Sequence, residues 1–250
     1  FNPYIPADEI VAFYSQLEDK EYSAEAEGRS KNFKVILKRI RRLQHGQSPD
    51  KKQSLLDIGA ASGIFMDLAR KEGGLDVKGI EPSEYLVEEA RNRYGLELFN
   101  GTLEQFPSGQ KFSVVTLLDI IEHLVEPDQF MNHVDNLMAD NGLLVLVTPD
   151  VGSLAARLMG KRWWHYRIAH INFFNRNALK YFLKKHNYEI VKTKKYVWNF
   201  SLFYLLTRIF LGLKKRKSLQ NVLKRLHLKL PLFDSWEIYA RRKGTQTNET

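Results

Sequence analysis

The sequence predicts an α/β fold built on a largely parallel, doubly wound sheet. Three observations carry this. Short apolar runs alternate with amphipathic stretches at the spacing of βαβ units. Those runs are continuously apolar, as strands covered on both faces are. The first of them ends in a glycine turn, Asp57-Ile58-Gly59-Ala60-Ala61-Ser62-Gly63, that opens directly into a helical pattern.

The elements follow in order. Over residues 8–44, Ile10, Phe13 and Tyr14, then Phe33, Ile36, Leu37 and Ile40, recur at helical spacing. A polar loop from His45 to Asp50 leads to a buried strand over 54–59 and a helix over 64–71. A second strand covers 77–81, and Ser83 caps a helix running to Tyr94. Strands at 97–99, 113–118 and 142–148 follow, with a helix over 129–138 between the last two. Pro149 stops the last of these. A helix over 177–186 then ends near Asn187, a residue suited to a left-handed cap. A strand is expected at 189–197 and a final one at 236–240. Between them lie an apolar stretch over 199–213, the basic cluster Lys214-Lys215-Arg216-Lys217 and an amphipathic helical pattern over 218–230. The expected organisation is a helical flap over 1–50, a core over 51–198 and 231–243, and a helical insertion over 199–230.

The 250 residues contain no cysteine, which excludes disulfides, thiolate metal sites and a cysteine nucleophile. No signal peptide is recognisable, which favours the cytoplasm. The net charge of +9 conceals a split. Residues 1–150 hold 16 Lys/Arg and 25 Asp/Glu, whereas 151–250 hold 22 and 4, a net of +18. A solvated basic face and an anionic partner account for this equally well.

Small residues in the 57–63 turn allow backbone to approach a ligand closely. Glu81, at the end of the second strand, can accept hydrogen bonds from both hydroxyls of a ribose. The turn lacks the G-x-G-x-x-G spacing of dinucleotide sites, which disfavours a nicotinamide enzyme.

With these residues in place, the chain resembles the class I S-adenosylmethionine-dependent methyltransferases. Residues 55–69 and Gly79-Ile80-Glu81-Pro82-Ser83 look like the family's first two motifs. Residues 101–107 (GTLEQFP) resemble its adenine-side motif, and 112–127 and 141–149 match its later strands. The resemblance covers roughly residues 54–243. It implies a seven-stranded sheet with one antiparallel strand, at 236–240. It further implies that Asp57, Gly59, Ala61 and Gly63 shape the turn beneath the cofactor's methionine moiety, and that Glu81 and the adjoining Pro82 serve its ribose. Thr102 and Leu103 would face the adenine, and Asp119 would approach the methionine end or the substrate. Tyr22 and Arg29 sit where relatives close a helical flap over the cofactor. Two positions depart from the pattern: Ala61 replaces a glycine, and Ser113 replaces an aspartate.

Asp119-Ile120-Ile121-Glu122-His123 gathers two carboxylates and an imidazole within about one turn, and His170 follows later. Three readings compete. His123 or His170 is a general base that takes a hydroxyl proton. Alternatively Asp119, Glu122, His123 and His170 hold a divalent metal such as magnesium. This resembles the pattern of O-methyltransferases of quinone biosynthesis and small-RNA 3′ ends, which usually carry Glu at the first position. In the third reading these side chains only orient loops.

The apolar and basic segments of 199–230 suit either a cap over the active site or an element lying on an anionic membrane. Both favour a hydrophobic or lipid-linked acceptor. Trp163, Trp164 and Tyr166, flanked by Lys161, Arg162 and Arg167, suit a stacking platform or a packed loop. The leading function is therefore methyl transfer to a small molecule, most readily at oxygen. An RNA acceptor is disfavoured, because the charge lies among apolar residues. A non-catalytic relative of the fold is the remaining alternative. Oligomeric state is not legible. Residues 1–14 resemble a segment that in many relatives follows a small zinc ribbon, so either upstream Cys pairs are missing or this lineage lost them. In that case residues 1–7 would be extended and order would begin near Asp8.

Overall fold

The computed structural model describes residue 9 and residues 25–45, 53–107, 109–209, 223 and 226–243. The expectations for residues 1–8, for Ile10, Phe13 and Tyr14, and for Tyr22 fall outside these. So do most of the 45–50 loop and the basic cluster at 214–217. The strands are β1 (Ser54–Ile58), β2 (Asp76–Glu81), β3 (Phe99–Asn100), β4 (Phe112–Leu118), β5 (Met138–Pro149), β6 (Tyr188–Lys195), β7 (Trp198–Ser201), β8 (His227–Leu230) and β9 (Ser235–Arg242). The helices are α1 (Ala26–Gln44), α2 (Ile64–Lys71), α3 (Glu84–Tyr94), α4 (Pro127–Leu137), α5 (Leu154–Met159), α6 (Arg176–Lys185) and α7 (Leu202–Ile209).

Seven strands form one sheet in the order β3-β2-β1-β4-β5-β9-β6. β1 to β5 pair in parallel, and β9 runs antiparallel between β5 and β6. Successive side chains of a strand point to opposite faces, so each central strand feeds two cores. On β5, Leu144 and Leu146 join the core with α4 and α6, while Leu143, Val145 and Val147 join the core with α1 and α2. Each fully buried aliphatic side chain of this kind contributes about 1.5–3 kcal/mol. Ser83 caps α3 as expected, its hydroxyl accepting from Leu86 N–H at 3.3 Å. Asn187 ends α6 with φ +60°, the left-handed conformation expected of it.

Several boundaries move. β3 lies at 99–100 rather than 97–99. α4 starts at Pro127, whose missing N–H costs nothing in the first turn of a helix. β5 begins at Met138, because Phe112 pairs with Met138 before a bulge restores the register at Val114 and Leu143. The larger correction concerns the insertion over 199–230. Its ends are strands, with Trp198–Ser201 pairing antiparallel to His227–Leu230. In so short a segment the leucines at 228 and 230 alternate as readily as they recur helically, and a paired strand satisfies the backbone. Among the described residues, no helix is long and apolar enough to cross a membrane.

The β7–β8 ribbon is clamped onto the start of α1. Glu25 accepts the Ser201 hydroxyl at 2.6 Å and the Ser201 N–H at 2.9 Å. The side-chain amides of Asn199 and Asn32 bond to each other, and a Cβ on Gly28 would strike the Asn199 carbonyl. Glu25→Ala would leave two buried Ser201 donors without partners, at a cost of roughly 1–3 kcal/mol each. The expected outcome is a lower melting temperature with faster hydrogen exchange at the Ser201 amide; an unchanged exchange rate there would show that the ribbon is held by something else.

Candidate functional site

β1, β2, β4 and β5 are parallel, so their C-terminal ends share one edge of the sheet, the edge whose crevice binds ligands in open α/β folds. Its floor is the turn after β1. Gly59, Ala61 and Gly63 have φ of +73°, +48° and +76°. Gly59 and Ala60 N–H groups both donate to the Ile80 carbonyl, at 2.9 and 3.0 Å. A Cβ at Gly59 would meet only the tip of the Ile120 side chain, so it is the left-handed φ that favours glycine there. Ala61 is a non-glycine in the left-handed region, at a cost of about 1–2 kcal/mol. Its N–H donates to Glu81 Oε2 at 2.8 Å, which offsets part of that cost.

Glu81 is buried and accepts from Ser83 N–H through Oε1 at 2.9 Å. Burial raises its carboxyl pKa, and these two backbone N–H groups pull it back. Each carboxylate oxygen keeps acceptor capacity. Asp57 lies deeper and accepts the Thr116 hydroxyl at 2.6 Å. Burial, aided by the charge of Glu81 and opposed by the Thr116 bond, pushes it up to about 7. Pro82 follows Glu81, and its carbonyl accepts from the Asn100 amide at 3.1 Å. Thr102 caps the short turn 103–105 and closes a capping box with Gln105, while Leu103 is buried in the core. Ser113 lies at the opposite end of β4, bonded to Ser54, and takes no part in the crevice.

The second half of the site sits beyond β4 and β5. Asp119 turns left-handed at φ +59°. Burial raises its carboxyl pKa, and the nearby charges of Arg29, His165 and Arg167 lower it. Arg29 of the flap and Asp119 are thus brought together. Glu122 is 1% exposed and accepts from the Thr148 hydroxyl at 3.0 Å through Oε2; its Oε1 has no hydrogen-bond partner. Burial, then the charge of Asp119, raises its pKa well above the carboxylate range. His123 Nδ1 lies 2.8 Å from the Ala169 carbonyl, and its ring meets that of His170 edge-on at 4.6 Å. Burial lowers the pKa of both imidazoles, His123 to about 4 and His170 to about 3, where the neighbouring basic groups His123, His165 and Arg167 further disfavour protonation.

Glu122, His123 and His170 offer ligand atoms within 4.8 Å of one another. Asp119, expected among them, stands outside this group. Its left-handed backbone leaves the carboxyl among the charges of Arg29, His165 and Arg167 instead. The 163–166 aromatics resolve as a packed loop at their centre: Trp163 is 1% exposed and its ring meets those of His165 and Tyr166.

Sequence reasoning missed Thr116, Thr148, His165 and Asp234. Asp234 is fully buried with its carboxylate 3.2 Å from His165 Nε2, and the His165 ring lies nearly parallel to that of His170 at 5.9 Å. His165 was visible in the His165-Tyr166-Arg167-Ile168-Ala169-His170 run, whereas nothing around Asp234 signalled a site.

A family model described as a methyltransferase domain matches residues 29–193. The chain is 30% identical over 120 residues to a protein of Caulobacter sp. (strain K31) named ubiquinone biosynthesis O-methyltransferase, covering 45% of this chain and 47% of that protein. It is 26% identical over 153 residues to a tRNA U34 carboxymethyltransferase of Psychromonas ingrahamii, covering 58% and 47%. The chain thus spans about half the length of the curated relatives it matches. Among solved structures, the plantazolicin methyltransferase BpumL in complex with SAH superposes with a TM-score of 0.60 at 16% identity, over 94% of both chains. That likeness shows a common fold. The sheet order, the glycine turn followed by a buried Glu81, and the matching domain model together establish that this chain belongs to the class I S-adenosylmethionine-dependent methyltransferases.

Proposed function

We propose that the chain methylates an oxygen atom of a hydrophobic small-molecule acceptor, with the acceptor end of the site built on Glu122, His123 and His170. The observation that carries this is the convergence of one buried carboxylate and two neutral imidazoles beside Asp119. The relatives named ubiquinone biosynthesis O-methyltransferase support transfer to oxygen.

S-adenosylmethionine, when bound, supplies a methyl group already activated by its sulfonium. The protein's work is then to bind, orient and receive a proton. In this reading Asp57, Gly59, Ala61 and Gly63 form the cradle. Glu81, fixed by two backbone N–H groups, presents its remaining lone pairs to the ribose hydroxyls, next to Pro82. Thr102 and Leu103 border the adenine. Arg29 and Tyr22 belong to the flap, and Asp119 opposes Arg29.

A divalent cation fits the acceptor end. The unpartnered Glu122 Oε1 lies in a buried site, and a cation would restore the ionised form that burial and Asp119 disfavour. His123 Nδ1 donates to the Ala169 carbonyl, so in this reading Nε2 is the ring nitrogen that would meet a metal or a proton. Two imidazoles and one carboxylate suit a transition ion such as zinc, iron or manganese more than magnesium. A cation there would lower the pKa of an acceptor hydroxyl. Without one, His123 Nε2 is the proton acceptor. RNA methylation is a second reading, favoured by the basic second part of the chain and by the tRNA-modifying relative; steeply salt-dependent RNA binding would support it.

Glu81→Ala should weaken S-adenosylmethionine binding by at least about tenfold, since hydrogen bonds to a charged group are worth about 1.5–3 kcal/mol. Equal affinity by calorimetry would remove Glu81 from the ribose site. His123→Ala and His170→Ala should each depress methyl transfer to a catechol or phenol acceptor by a factor of about 10²–10⁴ while cofactor affinity holds. EDTA, followed by a divalent ion, should abolish and then restore that activity if a metal is bound. Because His123 titrates near 4, its neutral form persists as pH falls from 7 to about 5. The His123 ring should therefore show no titration near 6.5 by NMR and should protonate only as pH drops through about 4, whereas a rate inflection near 7 belongs to Asp57. Both histidines have pKa values below their unfolded value, so the unfolded chain binds more protons below about 6.5 and their effect on stability declines as pH falls from there. A His123 ring titration at 6.5 would contradict these assignments.

A further inference from the structure

We propose that the exposed rim formed by α5 and residues 160–168 docks onto the surface of an anionic lipid bilayer. The observation is an apolar tip ringed by cations. Leu154, Leu158 and Ile168 are 69%, 78% and 74% exposed. Leu154 and Leu158 lie four residues apart and share one face of α5. Around them Arg157, Lys161, Arg162 and Arg167 are exposed, and among the described residues none of the four forms an ion pair with a carboxylate. The wider stretch over residues 151–188 contains eight Lys/Arg and no Asp or Glu.

This rim is firmly mounted. The inward side of the same segment is packed, with Ala156 5% and Trp163 1% exposed and Ser153 capping α5 through Ala156 N–H at 3.1 Å. The leucines therefore protrude from an ordered base. Large aliphatic side chains held outward cost solubility unless something covers them. A bilayer interface answers both features at once, with acidic headgroups for the cations and acyl chains for the tips. Nucleic acid would meet the cations and the exposed Tyr166 ring, but Leu154, Leu158 and Ile168 offer no face on which a base stacks and would stay uncovered. The rim also continues into the site, because His165 follows directly and lies against His170. Docking would thus place the crevice at the membrane surface, whichever acceptor is methylated.

The test is co-sedimentation of the full chain with vesicles of phosphatidylcholine alone and of phosphatidylcholine mixed equally with phosphatidylglycerol. Two double variants are compared, Leu158→Glu/Ile168→Glu and Arg157→Gln/Arg162→Gln. Each cation near an anionic surface should contribute about fivefold, so mixed vesicles should bind the protein more than about tenfold tighter than neutral ones. Both variants should lose about tenfold or more of that binding, since one removes the apolar tips and the other two cations. Their S-adenosylmethionine affinity by calorimetry should be unchanged, which separates loss of docking from loss of the fold or of the methyltransferase site. Equal binding to both vesicles, or unaltered binding by the Leu158→Glu/Ile168→Glu variant, would overturn the proposal. So would self-association that this variant abolishes, or an RNA that binds the four cations and is indifferent to the apolar substitutions.

Discussion

The structure is organised around one expensive constraint: several carboxylates are buried along a single edge of the sheet. Asp57, Glu81, Glu122 and Asp234 are all less than 9% exposed, and Asp119 stands among them. Burying an ionised carboxylate is strongly unfavourable unless donors surround it. The chain supplies those donors unevenly. Glu81 receives two backbone N–H groups, and Asp57 receives a hydroxyl. Glu122 has a donor on only one oxygen, and Asp234 faces a single imidazole. The two-faced apolar core supplies the stability that lets this edge remain under-satisfied, which is the usual relation between a scaffold and its site.

That arrangement explains why the surrounding loops are so tightly cross-tied. The Glu122 carbonyl accepts the N–H groups of both Ile171 and Asn172 at 2.9 Å, and the Asn172 amide bonds the Leu124 carbonyl. The segment carrying His165 and His170 is thereby laced onto the segment carrying Glu122 and His123. The Asp150 N–H donates to the Asp234 carbonyl at 2.8 Å, tying in the start of β9. The depressed pKa values of His123 and His170 follow first from burial, which disfavours the charged form of each imidazole. Arg167 pushes the His170 pKa further down and, together with Arg29, acts against the protonation of Asp119.

The flap adds a separate contribution. α1 is an amphipathic helix whose apolar stripe packs on the sheet, and its first turn is bound through Glu25 to Ser201 of the ribbon. The ribbon is thereby tied to the N-terminal end of α1. Trp198 stacks on Phe200 at 5.5 Å and approaches His165 at 6.2 Å, so the aromatic wall of the ribbon reaches the acceptor side. A substitution in the ribbon is accordingly felt at the site without touching a reacting group.

The sequence by itself determined the α/β class, the order of the central elements and the cofactor edge. These depend on local signals: apolar runs of strand length, a glycine turn and Glu81 at the end of a strand. It also pointed to Glu122, His123 and His170, because Glu122 and His123 are adjacent and His170 lies in a distinctive run. What only the tertiary structure decided is long-range. Asp119, left-handed at the end of β4, lies outside the three residues whose ligand atoms converge. The pairing of His165 with Asp234 joins residues 69 positions apart whose spacing carries no pattern. The strand identity of 198–201 and 227–230 depends on each finding the other, since neither segment can satisfy its backbone alone. Periodicity reports which face of an element is buried; it carries no record of the partner that buries it, and pairing partners are what closed this site.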